Sequence, residues 1–236
     1  MSADRPPRLP PVDPGAAARV PAASLSPELL ASLLADGDDE LAAWTLRHAF
    51  AEQPRAEVFD GLLGDAMTLV GERWASGQWS VAEEHLASQT LLRTLDRIRP
   101  DQGPEGRIGP LAVLAAVAGE HHMLGLVCLD QVLREDGWTV ANLGADVPAA
   151  DLAGFVARNE AALVALTASD ATRLPAVAEA VAAVRGARPE TATSPILLGG
   201  RIATDPRLTA TLGVDQAVDS IGAAARFARS LVSAPS

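Results

Sequence analysis

The sequence predicts an α/β protein in which a helical bundle precedes a doubly wound parallel sheet. The first half has apolar residues at helical spacing, whereas in the second half short apolar runs alternate with helix-length segments. A stretch rich in proline and glycine separates the halves. Because 48% of the 236 residues are hydrophobic, each half has enough apolar surface for its own core, and we expect two small domains.

The charge and the cysteine content exclude several classes of protein. The chain has 30 acidic and 19 basic residues, and its net charge of -11 opposes binding to nucleic-acid phosphates. Its single cysteine, Cys128, cannot form an internal disulfide. No stretch resembles a signal peptide or a run of about 20 apolar residues. We therefore expect a soluble cytoplasmic protein that binds neither nucleic acid nor a membrane directly.

Four helices are predicted in the first domain. Residues 1–24 are rich in proline and predict a disordered leader, which residues 25–100 follow as a four-helix bundle. The helices are placed at 26–35, 38–51, 54–75 and 80–99. Ser26, Pro27 and Glu28 supply an N-cap, a first-turn proline and an early acidic residue. In the third helix, apolar residues at three- and four-residue spacing predict the face toward the core: Val58, Phe59, Leu62, Leu63, Ala66, Met67 and Val70.

The second domain is predicted to be Rossmann-like. Residues 101–107 break the helical pattern and predict a linker, and residues 108–236 form the domain. The candidate strands are Leu111–Val117, Thr139–Leu143, Leu163–Leu166 and Ile196–Leu198. The helix after the first strand is expected to bury Leu124, Val127, Cys128, Gln131 and Val132. Since such sheets bind ligands at the carboxyl ends of their strands, functional residues are expected in the loops that follow strands.

The loop after the first candidate strand carries Glu120, His122 and Gly125. A carboxylate can accept the proton of one ring nitrogen of a nearby histidine, which fixes the tautomer and leaves the other nitrogen for a metal. The arrangement resembles the signature of cobalamin-binding domains of the methionine synthase and mutase type. This resemblance implies that His122 is the lower axial ligand to cobalt, that Glu120 is its partner, and that Gly125 admits the corrin and its nucleotide tail. His121 is expected to face solvent.

Two later motifs extend this resemblance. Thr167-Ala168-Ser169 ends the third candidate strand, where the family carries a hydroxyl residue near the dimethylbenzimidazole tail. Gly199-Gly200 follows the fourth, where the family places a glycine pair against the tail. The resemblance therefore implies cofactor-binding roles for Thr167, Ser169, Gly199 and Gly200. Most of the family has aspartate in place of Glu120 and serine in place of Thr167, so the carboxylate and the hydroxyl are retained.

The bundle carries a second candidate set, Trp74, Val81, Glu84 and His85. This set resembles the cap of adenosylcobalamin-dependent photoreceptors of the CarH type. The resemblance implies that Trp74 covers the adenosyl group on the upper face of the corrin and that Glu84 hydrogen-bonds it. It also implies that Val81 shapes the pocket, and that His85 can bind cobalt after light breaks the cobalt–carbon bond. The alternative is that Trp74 and Trp79 are core aromatics and that Glu84 and His85 form a solvated helix face.

These resemblances imply an adenosylcobalamin-binding light sensor. CarH-type repressors also have an amino-terminal DNA-binding domain of the MerR type, for which this sequence shows no counterpart. We therefore expect indirect regulation of transcription, through homo-oligomerisation or a partner such as a transcription regulator. Two alternatives stay open, namely a methylcobalamin carrier of a methyltransferase system and a hydroxocobalamin-binding antirepressor. Because the sequence has no nucleophile elbow, phosphate-binding glycine loop or zinc-ligand spacing, we expect no enzymatic turnover.

Overall fold

A computed structural model describes residues 25–100, 109–187, 194–204 and 211–232. The chain divides into two compact units, Met1–Arg99 and Pro100–Ser236. The first is helical and the second is a parallel sheet with helices, so the predicted fold class is confirmed. The predicted leader, 1–24, and the predicted linker, 101–107, lie outside the described residues.

The first unit is a helical bundle, and side chains cap the amino ends of its first two helices. Its helices are α1 (Pro27–Asp36), α2 (Asp39–Glu52), α3 (Arg55–Val58), α4 (Gly64–Ala75) and α5 (Val81–Arg97). Ser26 Oγ accepts a hydrogen bond from the amide of Leu29 at 3.2 Å, and Asp38 Oδ1 accepts one from Leu41 at 2.9 Å. These caps satisfy amides that the helices leave without a partner, and they fix where α1 and α2 begin.

The predicted third helix is interrupted by a π-helical segment, Phe59–Leu63, between α3 and α4. Such a segment adds one residue to a turn and rotates the helix that follows. The prediction that seven apolar residues share one buried face is therefore only partly right. Leu62 and Met67 are half-buried. The buried members are Val58, Phe59, Leu63, Ala66 and Val70.

The bundle core also contains buried threonines, each of which returns its hydroxyl to its own helix. Thr45, Thr90 and Thr94 are fully buried. Their hydroxyls donate to the carbonyl oxygens four residues earlier, at 2.8, 2.7 and 2.9 Å respectively. Burial of these polar groups therefore leaves no hydroxyl without a partner.

The second unit is a sheet of five parallel strands in the order β2-β1-β3-β4-β5. The strands are β1 (Leu111–Ala116), β2 (Thr139–Asn142), β3 (Leu163–Thr167), β4 (Ile196–Gly199) and β5 (Gln216–Ala217). Among the described residues, the main helices of this unit are α6 (Leu124–Glu135), α7 (Ala149–Asn159), α8 (Leu174–Gly186) and α9 (Ile221–Val232). The four predicted strands correspond to β1–β4, whereas β5 and α9 were not predicted.

Both faces of the sheet are covered by helices, which is why the central strand β1 is apolar throughout. In β1, Val113 and Ala115 belong to the core formed with α7 and α8. Ala112, Leu114 and Ala116 belong to the core formed with α6 and α9. Alternate residues of one strand thus enter opposite cores.

The buried face of α6 differs from the predicted face. Leu124 and Val127 are only half-buried, and the residues that pack on β1 are Leu126, Leu129 and Leu133. Cys128, Gln131 and Val132 are buried as predicted. Asp130 is also buried, and its carboxylate accepts a hydrogen bond from Arg134 Nε at 2.8 Å. Because the ion pair with Arg134 compensates for burial of the Asp130 carboxylate, the buried face of α6 is wider than its apolar residues alone indicate.

The strand order places a topological switch point between β1 and β3. From β1 the chain crosses to β2 on one side of the sheet and later returns to β3 on the other. The loops that leave the carboxyl ends of β1 and β3 therefore diverge and leave a crevice, which is where open α/β sheets bind ligands. Across the described ranges, each helix is too short or too polar to cross a membrane.

The two-unit organisation predicts a local effect of a core substitution. Leu114→Ala, in the fully buried centre of β1, should destabilise the second unit by about 3 kcal/mol because it leaves a cavity. Hydrogen exchange read by mass spectrometry reports on each unit separately. We expect faster exchange across the strands and unchanged exchange in α1–α5. Val232→Ala, at a 51% exposed position, is the control, and equal effects of the two variants would contradict the packing described.

Candidate functional site

The loop between β1 and α6 begins with a tight turn at Gly119. The backbone of Gly119 has φ +76°, a left-handed conformation that glycine adopts without strain. The amide of Glu120 donates to the carbonyl oxygen of Val117 at 2.9 Å, which closes the turn. Sequence reasoning did not assign a role to Gly119, although a glycine shortly after a buried strand is a turn signal. The turn directs the next side chain, that of Glu120, into the protein.

The carboxylate of Glu120 is buried, with 1% of the residue exposed, and is surrounded by donors. Its Oε1 accepts hydrogen bonds from the backbone amide of His122 at 2.8 Å and from His122 Nδ1 at 2.7 Å. Its Oε2 accepts from the amide and the hydroxyl of Ser169, both at 2.6 Å. Burial raises the pKa of Glu120, but these hydrogen bonds from Ser169 and His122 outweigh it and hold the pKa at about 2. The group is therefore an anion at neutral pH.

The imidazole of His122 is held on one side and open on the other. Its Nδ1–H donates to Glu120, which leaves the lone pair of Nε2 outside this interaction. The side chain is 79% exposed, so Nε2 can be reached from solvent. A neutral imidazole with one nitrogen fixed by a carboxylate is the usual arrangement of a metal-binding histidine. His121, next to it, is exposed.

The structure brings Ser169 to Glu120, a contact that the sequence did not indicate. Ser169 follows β3, whereas Glu120 follows β1, and the two strands are neighbours in the sheet. The result is a chain of hydrogen bonds from Ser169 through Glu120 to His122. Thr167, the last residue of β3, is buried in the register opposite Ala116 and Gly199. Of the two predicted hydroxyl residues, Ser169 is thus engaged in holding the carboxylate.

The three predicted glycines differ in what their missing side chains allow. A Cβ added to Gly200, where φ is +91°, would lie 2.9 Å from Thr167 Oγ1 and closer still to the carbonyl oxygen of Ala168. At Gly199 the nearest atom, Leu166 O, would be 3.8 Å away. At Gly125 a Cβ would meet no atom within 4 Å. The fold itself therefore requires Gly200, whereas Gly125 borders open space beside the His122 loop.

A cavity of about 290 Å³ opens at the carboxyl ends of β4 and β5. Its lining residues are Ala203, Thr204, Gln216, Ala217, Val218, Asp219 and Ala223. None of them was predicted from the sequence, because β5 has only two residues and gives no recognisable apolar run. The cavity and the His122 loop lie at the same edge of the sheet.

In the bundle, two adjacent glutamates at the start of α5, Glu83 and Glu84, make different contacts. Ser80 and Glu83 form a reciprocal capping box at the start of α5. Glu84 instead accepts hydrogen bonds from His85 Nδ1 at 2.6 Å and from Ser88 Oγ at 2.9 Å. The His85 side chain is 72% exposed, and its Nε2 lies outside the pair with Glu84. The bundle thus carries a second imidazole held through Nδ1 by a carboxylate.

Two apolar side chains that flank the turn between α4 and α5 are exposed. Trp74, in the last turn of α4, is 50% exposed, and Val81, the first residue of α5, is 55% exposed. Trp79 is half-buried, with the guanidinium of Arg73 4.8 Å from its ring centre. Trp74 is therefore not a core aromatic, contrary to the alternative considered from the sequence.

The pKa of Glu120 predicts how stability depends on pH. Because its pKa is lowered from 4.5 to about 2 on folding, the carboxylate contributes stability that is complete above pH 4.5 and is lost as the pH falls towards 2. Glu120→Gln leaves only one acceptor oxygen, so the donors of Ser169 or His122 lose their partner. We expect a loss of about 3 kcal/mol at pH 7 and a smaller loss near pH 3.

Urea unfolding at several pH values measures this effect. The matched control is Glu179→Gln, which neutralises an exposed glutamate on α8. If Glu120→Gln and Glu179→Gln lost the same stability at every pH, the carboxylate would not hold the loop as described.

The glycines predict a contrast between two substitutions. Gly200→Ala should destabilise the second unit by about 2 kcal/mol, since the methyl group meets backbone and the left-handed conformation disfavours alanine. Gly125→Ala, in the first turn of α6 and with open space around it, should leave stability unchanged or slightly raised. Thermal unfolding measures both. Equal destabilisation by the two variants would contradict the geometry.

Comparison with known proteins gives a consistent result for both units. Family profiles described as "B12 binding domain" match residues 28–99 and 110–226. The HTH-type transcriptional repressor CarA of Myxococcus xanthus is 37% identical over 120 residues, which is 51% of this chain and 40% of that protein. CarH of the same organism, also an HTH-type transcriptional repressor, is 39% identical over 107 residues, or 45% of this chain and 35% of that protein. The chain thus spans less than half of either repressor.

The fold is also found in a solved structure. The monomethylamine corrinoid protein of Methanosarcina barkeri matches with a TM-score of 0.68 over 86% of this chain and 96% of that chain. The two sequences are 16% identical, so this similarity shows a common fold. Since B12-binding profiles match each of its two units, the chain belongs to the B12-binding domain family.

Proposed function

We propose that this protein binds adenosylcobalamin and acts as a light sensor that regulates transcription indirectly. The observation that carries the proposal is the set on the bundle. There, Trp74 and Val81 are exposed apolar groups, and Glu84 holds His85 through Nδ1. A carrier that only presents a methyl group does not need an aromatic ring and a carboxylate on its bundle. An adenosyl group, which has a heteroaromatic base and ribose hydroxyls, can use both.

The second unit fits the lower side of a corrinoid. Nε2 of His122 would bind the cobalt, and the hydrogen bond from Nδ1–H to Glu120 directs the Nε2 side of the ring away from the carboxylate. Gly125 borders open space, and the cavity beside β5 offers room at the same edge of the sheet for a nucleotide tail. Thr167, Gly199 and Gly200 are the other residues that we assign to the tail. When bound, adenosylcobalamin supplies a cobalt–carbon bond that light can break.

The bundle residues would serve the upper side. Trp74 offers a flat apolar surface for the adenine, and Val81 offers a smaller one. Glu84 has carboxylate oxygens that can accept hydrogen bonds from ribose hydroxyls. His85 is exposed, and its Nε2 can act as a second ligand to cobalt. Glu83 is excluded from such a role because its side chain closes the capping box.

The regulatory part of the proposal is supported by the two repressors. CarA and CarH are HTH-type transcriptional repressors, and the matched segment is less than half of each. A net charge of -11 disfavours direct contact with DNA. We therefore propose that a cytoplasmic protein changes its self-association or its binding to a partner regulator when illuminated, and that it does so without enzymatic turnover.

The test is the visible absorption spectrum of the protein mixed with adenosylcobalamin in the dark, washed, and recorded before and after green light. We expect a retained spectrum that converts irreversibly on illumination. His122→Ala should weaken cobalamin binding by about 10-fold or more, because it removes the cobalt ligand. Trp74→Ala should keep the lower ligand and alter the light response. His121→Ala, a change in the adjacent exposed histidine, is the control and should behave as wild type.

Other outcomes select other functions. Retention of methylcobalamin but not of adenosylcobalamin would favour a methyl carrier. Retention of hydroxocobalamin alone would favour an antirepressor. If His122→Ala and Trp74→Ala both kept the wild-type spectrum and light response, the assignment of both faces would be wrong.

A further inference from the structure

Asp146, in the loop between β2 and α7, has an unusual backbone conformation. Its φ of 54° lies in the left-handed region, which residues with a side chain rarely adopt. Among the described residues, Glu160 is the other non-glycine residue with positive φ. Glu160 is the C-cap of α7, where a left-handed residue is common. Asp146 caps no helix, so its conformation needs another cause.

The contacts of Asp146 supply that cause. Asp146 Oδ1 accepts a hydrogen bond from the backbone amide of Gly119 at 2.6 Å. The backbone amide of Asp146 donates to the carbonyl oxygen of Glu120 at 2.9 Å. Asp146 thus binds the loop between β1 and α6 on both sides of the Glu120 side chain. With the amide before Glu120 and the carbonyl after it both held, rotation of the Glu120 backbone is restricted.

The loop that carries Asp146 is itself anchored to β1. The amide of Val147 donates to the carbonyl oxygen of Ala116 at 3.0 Å. The amide of Ala116 in turn donates to the carbonyl oxygen of Gly144 at 2.9 Å. Asn142 Oδ1 also accepts from the amide of Gly144 at 3.1 Å, which closes the turn after β2. Asp146 is therefore fixed relative to the strand from which the His122 loop departs.

We infer that Asp146 is a positioning residue for His122. By holding the backbone of Gly119 and Glu120, it aims the Glu120 carboxylate, and the carboxylate sets the tautomer and the direction of the imidazole. The inference rests on the proposed role of His122 as the cobalt ligand. It adds a third loop, the one after β2, to the two loops that already meet at Glu120.

Two variants separate the contributions of Asp146. Asp146→Gly keeps the left-handed backbone and the amide donor but removes the Oδ1 acceptor. Asp146→Asn keeps an acceptor oxygen and tolerates the same backbone. Glu160→Gly is the matched control, because it replaces an acidic residue at positive φ just before the amino end of β3, the end of the sheet away from the His122 loop.

Two measurements on the full chain report on the outcome. The first is ¹⁵N NMR of the His122 ring in the absence of cobalamin, which reports which ring nitrogen carries the proton. We expect Nδ1 to carry the proton in wild type, Asp146→Asn and Glu160→Gly, and a mixture of tautomers in Asp146→Gly. The second is titration with hydroxocobalamin, for which we expect about 10-fold weaker binding by Asp146→Gly and near wild-type binding by the other two.

The inference is overturned if Asp146→Gly keeps the wild-type tautomer and affinity, or if Asp146→Asn is as impaired as Asp146→Gly. Circular dichroism checks that each variant is folded. If Asp146→Gly does not fold, a changed His122 tautomer or a weaker affinity in Asp146→Asn overturns the inference. His122→Ala is titrated in parallel. If it binds hydroxocobalamin as well as wild type, the assignment of the cobalt ligand fails, while the tautomer measurement still decides whether Asp146 positions the ring.

Discussion

The buried carboxylate of Glu120 is the interaction on which the rest of the site depends. A charge with 1% of its residue exposed is tolerated only because both of its oxygens accept hydrogen bonds, from His122 on one side and from Ser169 on the other. These bonds do two things together. They keep the group ionised at neutral pH, and they join the loops after β1 and β3. The same interaction therefore stabilises the loop after β1 and orients the imidazole of His122.

Among the described residues, two carboxylates are each paired with an imidazole, and the two carboxylates differ in burial. The side chain of Glu120 is 2% exposed and that of Glu84 is 28% exposed, whereas the imidazoles of His122 and His85 are exposed by 79% and 72%. An exposed pair contributes little to stability, so His85 can leave Glu84 at small cost. This contrast suits the proposed roles, in which His122 keeps one position while His85 binds cobalt in only one state of the protein.

The parallel sheet explains why distant residues in the sequence reach one site. Ser169 lies 49 positions after Glu120, yet β3 lies next to β1, and the loops after both strands leave the same edge of the sheet. The strand order also brings the loop after β2 to the other side of β1, where Asp146 meets Gly119. In the bundle, by contrast, Glu84 and His85 are adjacent in the chain and need only one helix to meet.

Local patterns in the sequence determined much of this protein. The alternation of apolar runs and helices predicted the fold class and β1–β4, and the spacing of Glu120 and His122 was enough for the carboxylate to reach the ring, since both lie in one loop. Only the tertiary structure decided the contacts made by Ser169 and Asp146, the short strand β5 and the rotated face of α6. Those features depend on which strands are neighbours and on how helices pack against them, and neither is encoded in any short stretch of residues.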